Sequence, residues 1–169
     1  DFVLLPDPDG SVHGELSAAR VRALCDRRAG IGGDGVIRVI RTAAVPGLPA
    51  SDAEWFMDYR NADGSLSEMC GNGIRVLARH LVDAELAPAR DLLIGTRDGD
   101  KAVQVDGAAV TVDLGQPTVL GATTISVGER RWKAQHVSTG NPHAVALVDD
   151  LADVGALVVE PGFDPVEYP

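Results

Sequence analysis

The sequence predicts an α+β fold built on a largely antiparallel sheet, and three observations carry that reading. Short β-branched runs such as VIRVIR (36–41) and AVTV (109–112) alternate with glycine and Asp-Gly turns. From Asn72 to about Leu86 the period becomes helical, with Ile74, Leu77, Ala78, Leu81, Val82 and Leu86 forming one broad apolar face. Beyond that segment, short strands follow one another with no helices between them. This is a meander rather than a series of βαβ units.

The elements follow in order. FVLLP (2–6) reads as a strand ended by the turn DPDG. Ser17 is placed to cap a helix from Ala18 to about Arg28, with Val21 and Leu24 on one apolar stripe and Cys25 beside it. Gly30 to Gly35 is a loop, and Val36 to Arg41 a strand. AVPGLPASD is an irregular connection, EWFMDYR (54–60) a strand, and NADGS the tight turn behind it. After the 72–86 helix come the strands LLIGT, KAVQVD, AVTVDLG, TISV, WKAQHVS and HAVALV. LADVGALVV (151–159) fits a short helix or a strand, and the proline-rich PGFDPVEYP (161–169) reads as a linker.

Bulk properties exclude several functions. The formal net charge is −10, and the basic residues are scattered rather than gathered into the footprint that phosphates require. Aromatic residues make up only 4% of the chain, too few for base-stacking platforms. No long uncharged apolar run suggests a membrane span. The first residues lack the basic start and apolar region of a secretory signal and begin without methionine, as if in mid-strand, so a piece is expected upstream. Cys25 and Cys70 form no CxxC pair. His13, His80, His136 and His143 do not cluster with them at zinc-ligand spacing, so no metal site is expected.

Three stretches carry the chemistry. GIGGDG (30–35) matches G-x-G-x-x-G letter for letter, but it follows a helix and opens a strand. A dinucleotide loop does the reverse, so these glycines are read as a permissive loop. EMCGNGIR (68–75) sets Cys70 at the start of a helix, where unpaired N–H groups and the helix dipole favour thiolate. Gly71 and Gly73 let a ligand approach the backbone closely, so the same N–H groups can hold a carboxylate or phosphate. A buried structural cysteine with a glycine-rich cap is the alternative. In STGNPHAV (138–145), Asn141 precedes a proline and the chain then continues as a strand. Read locally, this is a turn with a half-buried His143, and Asn61 in RNADGS can equally be a turn asparagine.

Taken together and in this order, RNADGS, EMCGNGIR and STGNPH resemble the N-terminal half of the diaminopimelate epimerase family, whose glycine-rich loop also accommodates GIGGDG. The resemblance implies a curved, mostly antiparallel sheet wrapped around the 72–86 helix. It also implies a cofactor-independent exchange between LL- and meso-diaminopimelate, a step in making lysine and peptidoglycan precursors. In that chemistry one thiolate removes the α-proton and a second thiol returns one on the opposite face. By the same resemblance Cys70 is the first thiol, and Gly71 and Asn72 hold the reacting carboxylate through their N–H groups. Asn61 and Asn141 contact substrate, and His143 tunes the acidity of the thiols. The expected partners are the small-molecule substrate, a second domain of the same enzyme and a second copy in a homodimer, in the cytoplasm, with no cofactor.

The resemblance assigns residues 1–160 to a first domain and 161–169 to the start of an interdomain linker. The second cysteine lies in a second domain that this chain does not contain. Gly35 stands where some members carry a substrate-binding glutamine. Three other readings remain: a proline- or hydroxyproline-type racemase, a small-molecule binding domain without catalysis, and a cysteine acyl-transfer enzyme with His143 as base. CGNG rather than CGHG, with both asparagine motifs, favours diaminopimelate.

Overall fold

The computed structural model describes residues 1–87, 90–156, 158 and 160–163. These fall into two compact units, 1–114 and 115–169. The first holds β1 (Val3–Pro6), α1 (Ala18–Cys25), β2 (Gly35–Arg41), β3 (Trp55–Asn61), α2 (Gly71–Asp83), β4 (Asp91–Thr96), β5 (Gly99–Asp106) and β6 (Ala109–Val112). The second holds β7 (Thr118–Val127), β8 (Arg130–Ser138) and β9 (Pro142–Val145).

In the first unit six strands form one sheet in sequence order. The pairs β2–β3, β4–β5 and β5–β6 are antiparallel, whereas β1–β2 and β3–β4 are parallel. The strands after α2 pair antiparallel with their sequence neighbours within each sheet, as the expected meander requires. The two parallel pairs arise where the chain between the partners contains a helix, α1 in one case and α2 in the other. Parallel neighbours need such a crossover.

The sheet curls about α2, which touches β2, β3, β4, β5 and β6. Ile74, Leu77, Ala78 and Leu81 are wholly buried on the apolar face anticipated from the period. Full burial of each of the three larger side chains stabilises by about 1.5–3 kcal/mol. They pack with Ile37, Val39, Trp55, Met57, Tyr59 and Ile94 from the strands. A smaller cluster of Val3, Leu5, Leu16, Val21, Cys25 and Val36 seats α1.

Helix α1 stops at Cys25, short of the expected Arg28, because Asp26 leaves the helical region and its carboxylate accepts the N–H groups of Arg28 and Ala29. The glycine loop then folds back to cap the helix. Gly30 N–H bonds to the Asp26 carbonyl, and the N–H groups of Ile31 and Gly32 both bond to that of Leu24. A Cβ on Gly30 would overlap the Ala23 carbonyl oxygen and stand 2.9 Å from those of Leu24 and Asp26. The loop's N–H groups therefore serve the chain's own carbonyls, which accounts for a nucleotide-like motif in the wrong context.

The second unit is a three-stranded antiparallel sheet, β7–β8–β9. Strand β7 is longer than TISV and is interrupted by a bulge between Val119 and Gly121. Strand β9 is shorter than HAVALV and ends at Val145, opposite Gln135. LADVGALVV begins as a 3-10 turn, Leu151–Val154, and two of its later residues lie outside the described set. Gly162 bridges to Ser126, whereas 164–169, most of the anticipated linker, also lie outside it. Among the described residues of this unit, Ala134 is the only buried apolar side chain. No helix among the described residues is long and apolar enough to cross a membrane.

Candidate active site

Cys70 is the N-cap of α2. Its backbone is extended (φ −139°, ψ 111°), and its Sγ accepts the Gly73 N–H at 3.4 Å. The Ile74 N–H bonds to the Cys70 carbonyl at 2.9 Å. The second is the first bond of the helix proper, so of the free donors at the helix start the Gly73 N–H alone is taken up by the cap. The N–H groups of Gly71 and Asn72 have no acceptor among the described residues. A Cβ on Gly71 would meet nothing within 4 Å, so this side of the helix mouth is open. The half-buried sulfur thus lies next to two unsatisfied donors and the positive end of a 13-residue helix, an arrangement suited to a carboxylate. The Asn72 side chain turns away, and its Oδ1 accepts from the Arg75 guanidinium.

Asn61 ends β3 and pairs directly with Gly35 at the start of β2. Strand alternation places Asn61 on the same face as Trp55, Met57 and Tyr59, which belong to the core under α2. Its Nδ2 donates to Ser65 Oγ at 3.0 Å, and its N–H and carbonyl close the turn to Ser65 and Gly64. Gly64 has φ +89°, and a Cβ there would stand 2.5 Å from Ala18 Cα, so only glycine lets the turn lie against the start of α1. Arg22 secures the same turn by donating to the Asp63 carbonyl at 2.9 Å. The RNADGS motif is therefore a held corner at one end of the sheet.

Asn141 and His143 belong to the second unit. Asn141 lies in the turn joining β8 to β9, where its carbonyl accepts the Thr139 N–H at 3.2 Å. His143 pairs with Val137 in the ladder and is exposed rather than half-buried. Its Nε2 lies 2.9 Å from Thr139 Oγ1. The first unit thus brings together Cys70, Gly71 and Asn72 at the mouth of α2 and holds Asn61 in its corner turn, while the second carries Asn141 and His143 in one hairpin.

One neighbour of Cys70 escaped the reading of the sequence. Tyr59 lies two residues before Asn61 on the same face, buried in the core cluster against which Cys70 packs. Burial first, then the nearby Cys70, pushes its pKa up to about 12. Period-two alternation back from Asn61 was the signal that could have found it. The other cysteine, Cys25, is buried, which raises the pKa of its thiol. Among the described residues no group of three His, Cys, Asp or Glu side chains could hold a metal ion.

A family model described as diaminopimelate epimerase matches residues 1–120. The diaminopimelate epimerase of Streptomyces coelicolor is 50% identical over 175 residues, covering 100% of this chain and 60% of that protein. That of Thermobifida fusca is 48% identical over 155 residues, covering 88% and 56%. That of Rhodococcus jostii is 46% identical over 187 residues, covering 100% and 64%. The chain thus spans roughly three fifths of the length of these relatives. The crystal structure of the Bacillus anthracis phenazine biosynthesis protein, PhzF family, superposes with a TM-score of 0.52 at 17% identity, covering 89% of this chain and 50% of that one. That likeness concerns the fold.

Proposed function

This chain belongs to the diaminopimelate epimerase family, and from that premise we propose that the whole protein interconverts LL- and meso-diaminopimelate. In this reading residues of the present chain form one half of the site. The observation that carries it is the mouth of α2, where Cys70 Sγ stands beside the unsatisfied N–H groups of Gly71 and Asn72. The Cys70 thiolate takes the substrate's α-proton. As the proton leaves, negative charge spreads onto the adjoining carboxylate, and the two N–H groups and the helix dipole stabilise it there. A thiol from the second half of the protein delivers a proton to the opposite face, which inverts the centre. The exchange needs no cofactor. Asn61 and Asn141 bind the rest of the substrate, and His143 tunes the thiols.

Residues 1–160 form the first domain of this enzyme, and the linker to the second begins at 161. The second unit supports an extended protein, because it exposes Val119, Leu120, Leu147 and Leu151 while burying only Ala134 among its described apolar residues. Apolar surface of that kind asks for a covering partner. We place the enzyme in the cytoplasm as a homodimer.

The test uses the full-length protein with LL-diaminopimelate in heavy water. One deuterium is expected at the inverted α-carbon, and Cys70→Ala is expected to abolish the inversion. Full activity in that variant would remove Cys70 from the role of base, and a covalent acyl-enzyme in its place would favour acyl transfer.

A further inference from the structure

The corner that carries Asn61 is closed by a short relay of side chains. Asn61 is half-buried at the end of β3, on the face that Met57 and Tyr59 turn to the core. Its Nδ2 donates to Ser65 Oγ at 3.0 Å. Ser65 Oγ donates in turn to Asp63 Oδ1 at 2.7 Å, and the Ser65 N–H donates to the same oxygen at 2.8 Å. The backbone repeats the closure, with the Asn61 N–H on the Ser65 carbonyl at 3.0 Å and the Gly64 N–H on that of Asn61 at 2.8 Å. Arg22 fastens the turn to α1 through the Asp63 carbonyl, at 2.9 Å.

These bonds leave one orientation for the Asn61 carboxamide. The two hydrogen bonds from Ser65 hold the Asp63 carboxyl below its usual pKa, so at neutral pH it is a carboxylate, which accepts and cannot donate. The Ser65 hydroxyl has a single proton, and Asp63 takes it. What Ser65 offers Asn61 is therefore a lone pair, which only the NH2 end of the amide can meet. No group among the described residues donates to Asn61 Oδ1. We propose that Ser65, itself set by Asp63, is a positioning residue for Asn61: it ties down the NH2 end of the amide and leaves the oxygen free to accept from an ammonium group of the substrate. An amide turned the other way would present N–H donors, which suit a carboxylate instead. The inference rests on the reading of Asn61 as a substrate contact and adds which end of that side chain binds and what holds it.

The experiment uses the full-length protein and has one arm without substrate. The two protons on Asn61 Nδ2 give a pair of nuclear magnetic resonance signals, identified by their loss in Asn61→Ala. Ser65→Ala is expected to move the signal of the bonded proton upfield, and a pair left unmoved overturns the proposal. With LL-diaminopimelate, Ser65→Ala is expected to raise KM roughly three- to tenfold and to leave kcat within about twofold, because only a fraction of the freed amides still presents the oxygen. In an Asn61→Ala background the same substitution should add nothing, since a side chain that acts through Asn61 has nothing left to act on. An equal loss in both backgrounds would make Ser65 a brace for the turn alone and overturns the proposal. If the full-length protein does not invert LL-diaminopimelate at all, the epimerase reading falls, while the arm without substrate still decides the orientation of the amide. If Ser65→Ala does not fold, Ser65→Cys keeps the shape, offers a poor acceptor and is read in the same way.

Discussion

Replacing Asp58 with asparagine tests how the face of the sheet turned away from α2 is held. Asp58 is 1% exposed, accepts hydrogen bonds from Arg38 and Arg97, and is ion-paired with Arg60. On one oxygen stand Arg38 Nε at 2.8 Å and Nη2 at 2.7 Å, and on the other Arg60 Nη1 at 3.1 Å together with Arg97. A second buried carboxylate, Asp7, lies 3.8 Å from Arg38 but is bound by the N–H groups of Val12 and His13. Three guanidiniums thus face two carboxylates. Burial already lowers the pKa of Arg60, with Asp58 the main opposing charge. Asparagine keeps the shape, removes the charge and turns an NH2 group toward guanidinium donors. Breaking a buried ion pair from one side costs about 3–5 kcal/mol. Arg97 is 20% exposed and can relax into water, which favours the lower end. A loss of about 3 kcal/mol corresponds to a fall in Tm of roughly 6–12 °C for a chain of this size. Urea unfolding followed by circular dichroism measures it directly. Glu54→Gln is the control, since it breaks an exposed pair with Arg41 and should change stability by less than about 1 kcal/mol. If Asp58→Asn costs no more than that control, the buried cluster is screened like a surface pair and the reasoning fails.

Two further perturbations read the same architecture. Gly30→Ala should destabilise by about 2–4 kcal/mol, because the new Cβ displaces the loop and the three hydrogen bonds that cap α1; a thermal melt within a degree or two of the parent would show that the loop does not cap the helix. Tyr59 gives the alkaline limit of stability. Its folded pKa of about 12 lies above the ordinary 10.0, so the unfolded chain releases its proton first as pH rises. The stabilisation is therefore complete below about pH 10 and is lost between there and about pH 12, a change of roughly 2–3 kcal/mol. Urea titrations across that window should show a shallower decline in Tyr59→Phe, and parallel declines would refute the assignment.

The parts of this fold that announce themselves in the sequence are those governed by local periodicity. The stripe from Ile74 to Leu81 demanded a helix with one buried face, and the β-branched runs demanded strands. Pairing was not legible, because VLLP beside VIRVIR reads the same whether the two strands run parallel or antiparallel. The Asp58 cluster was equally hidden. Arg38 sits in a strand of buried residues, and only the fold shows that Asp58 neutralises its charge and is shared with Arg97. In the second unit the apolar pattern of HAVALV predicted a longer strand than β9, whose ladder with β8 ends at Val145 and whose neighbour Leu147 is 92% exposed. For the candidate site, the cysteine at a glycine-rich helix start could be read directly, because an N-cap is a local feature. Alternation back from Asn61 puts Tyr59 on the core face, but its nearness to Cys70 depends on what lies across the sheet.

Gly35 shows what that limit means chemically. By resemblance alone it marks a missing contact, a place where some family members present a glutamine and this chain presents nothing. In the structure the same absence is a requirement: any β-carbon at 35 would overlap the Tyr59 ring, and the nearby Arg60 carbonyl is backbone that cannot move aside cheaply. The two positions are therefore one choice made in two strands. A side chain on β2 would exclude the phenol from its place beside Cys70, and the phenol excludes a side chain on β2. The space above Gly35 is filled instead by the Tyr59 ring, in the core cluster against which Cys70 packs, which ties the environment of the thiol to a residue that no motif around EMCGNGIR contains.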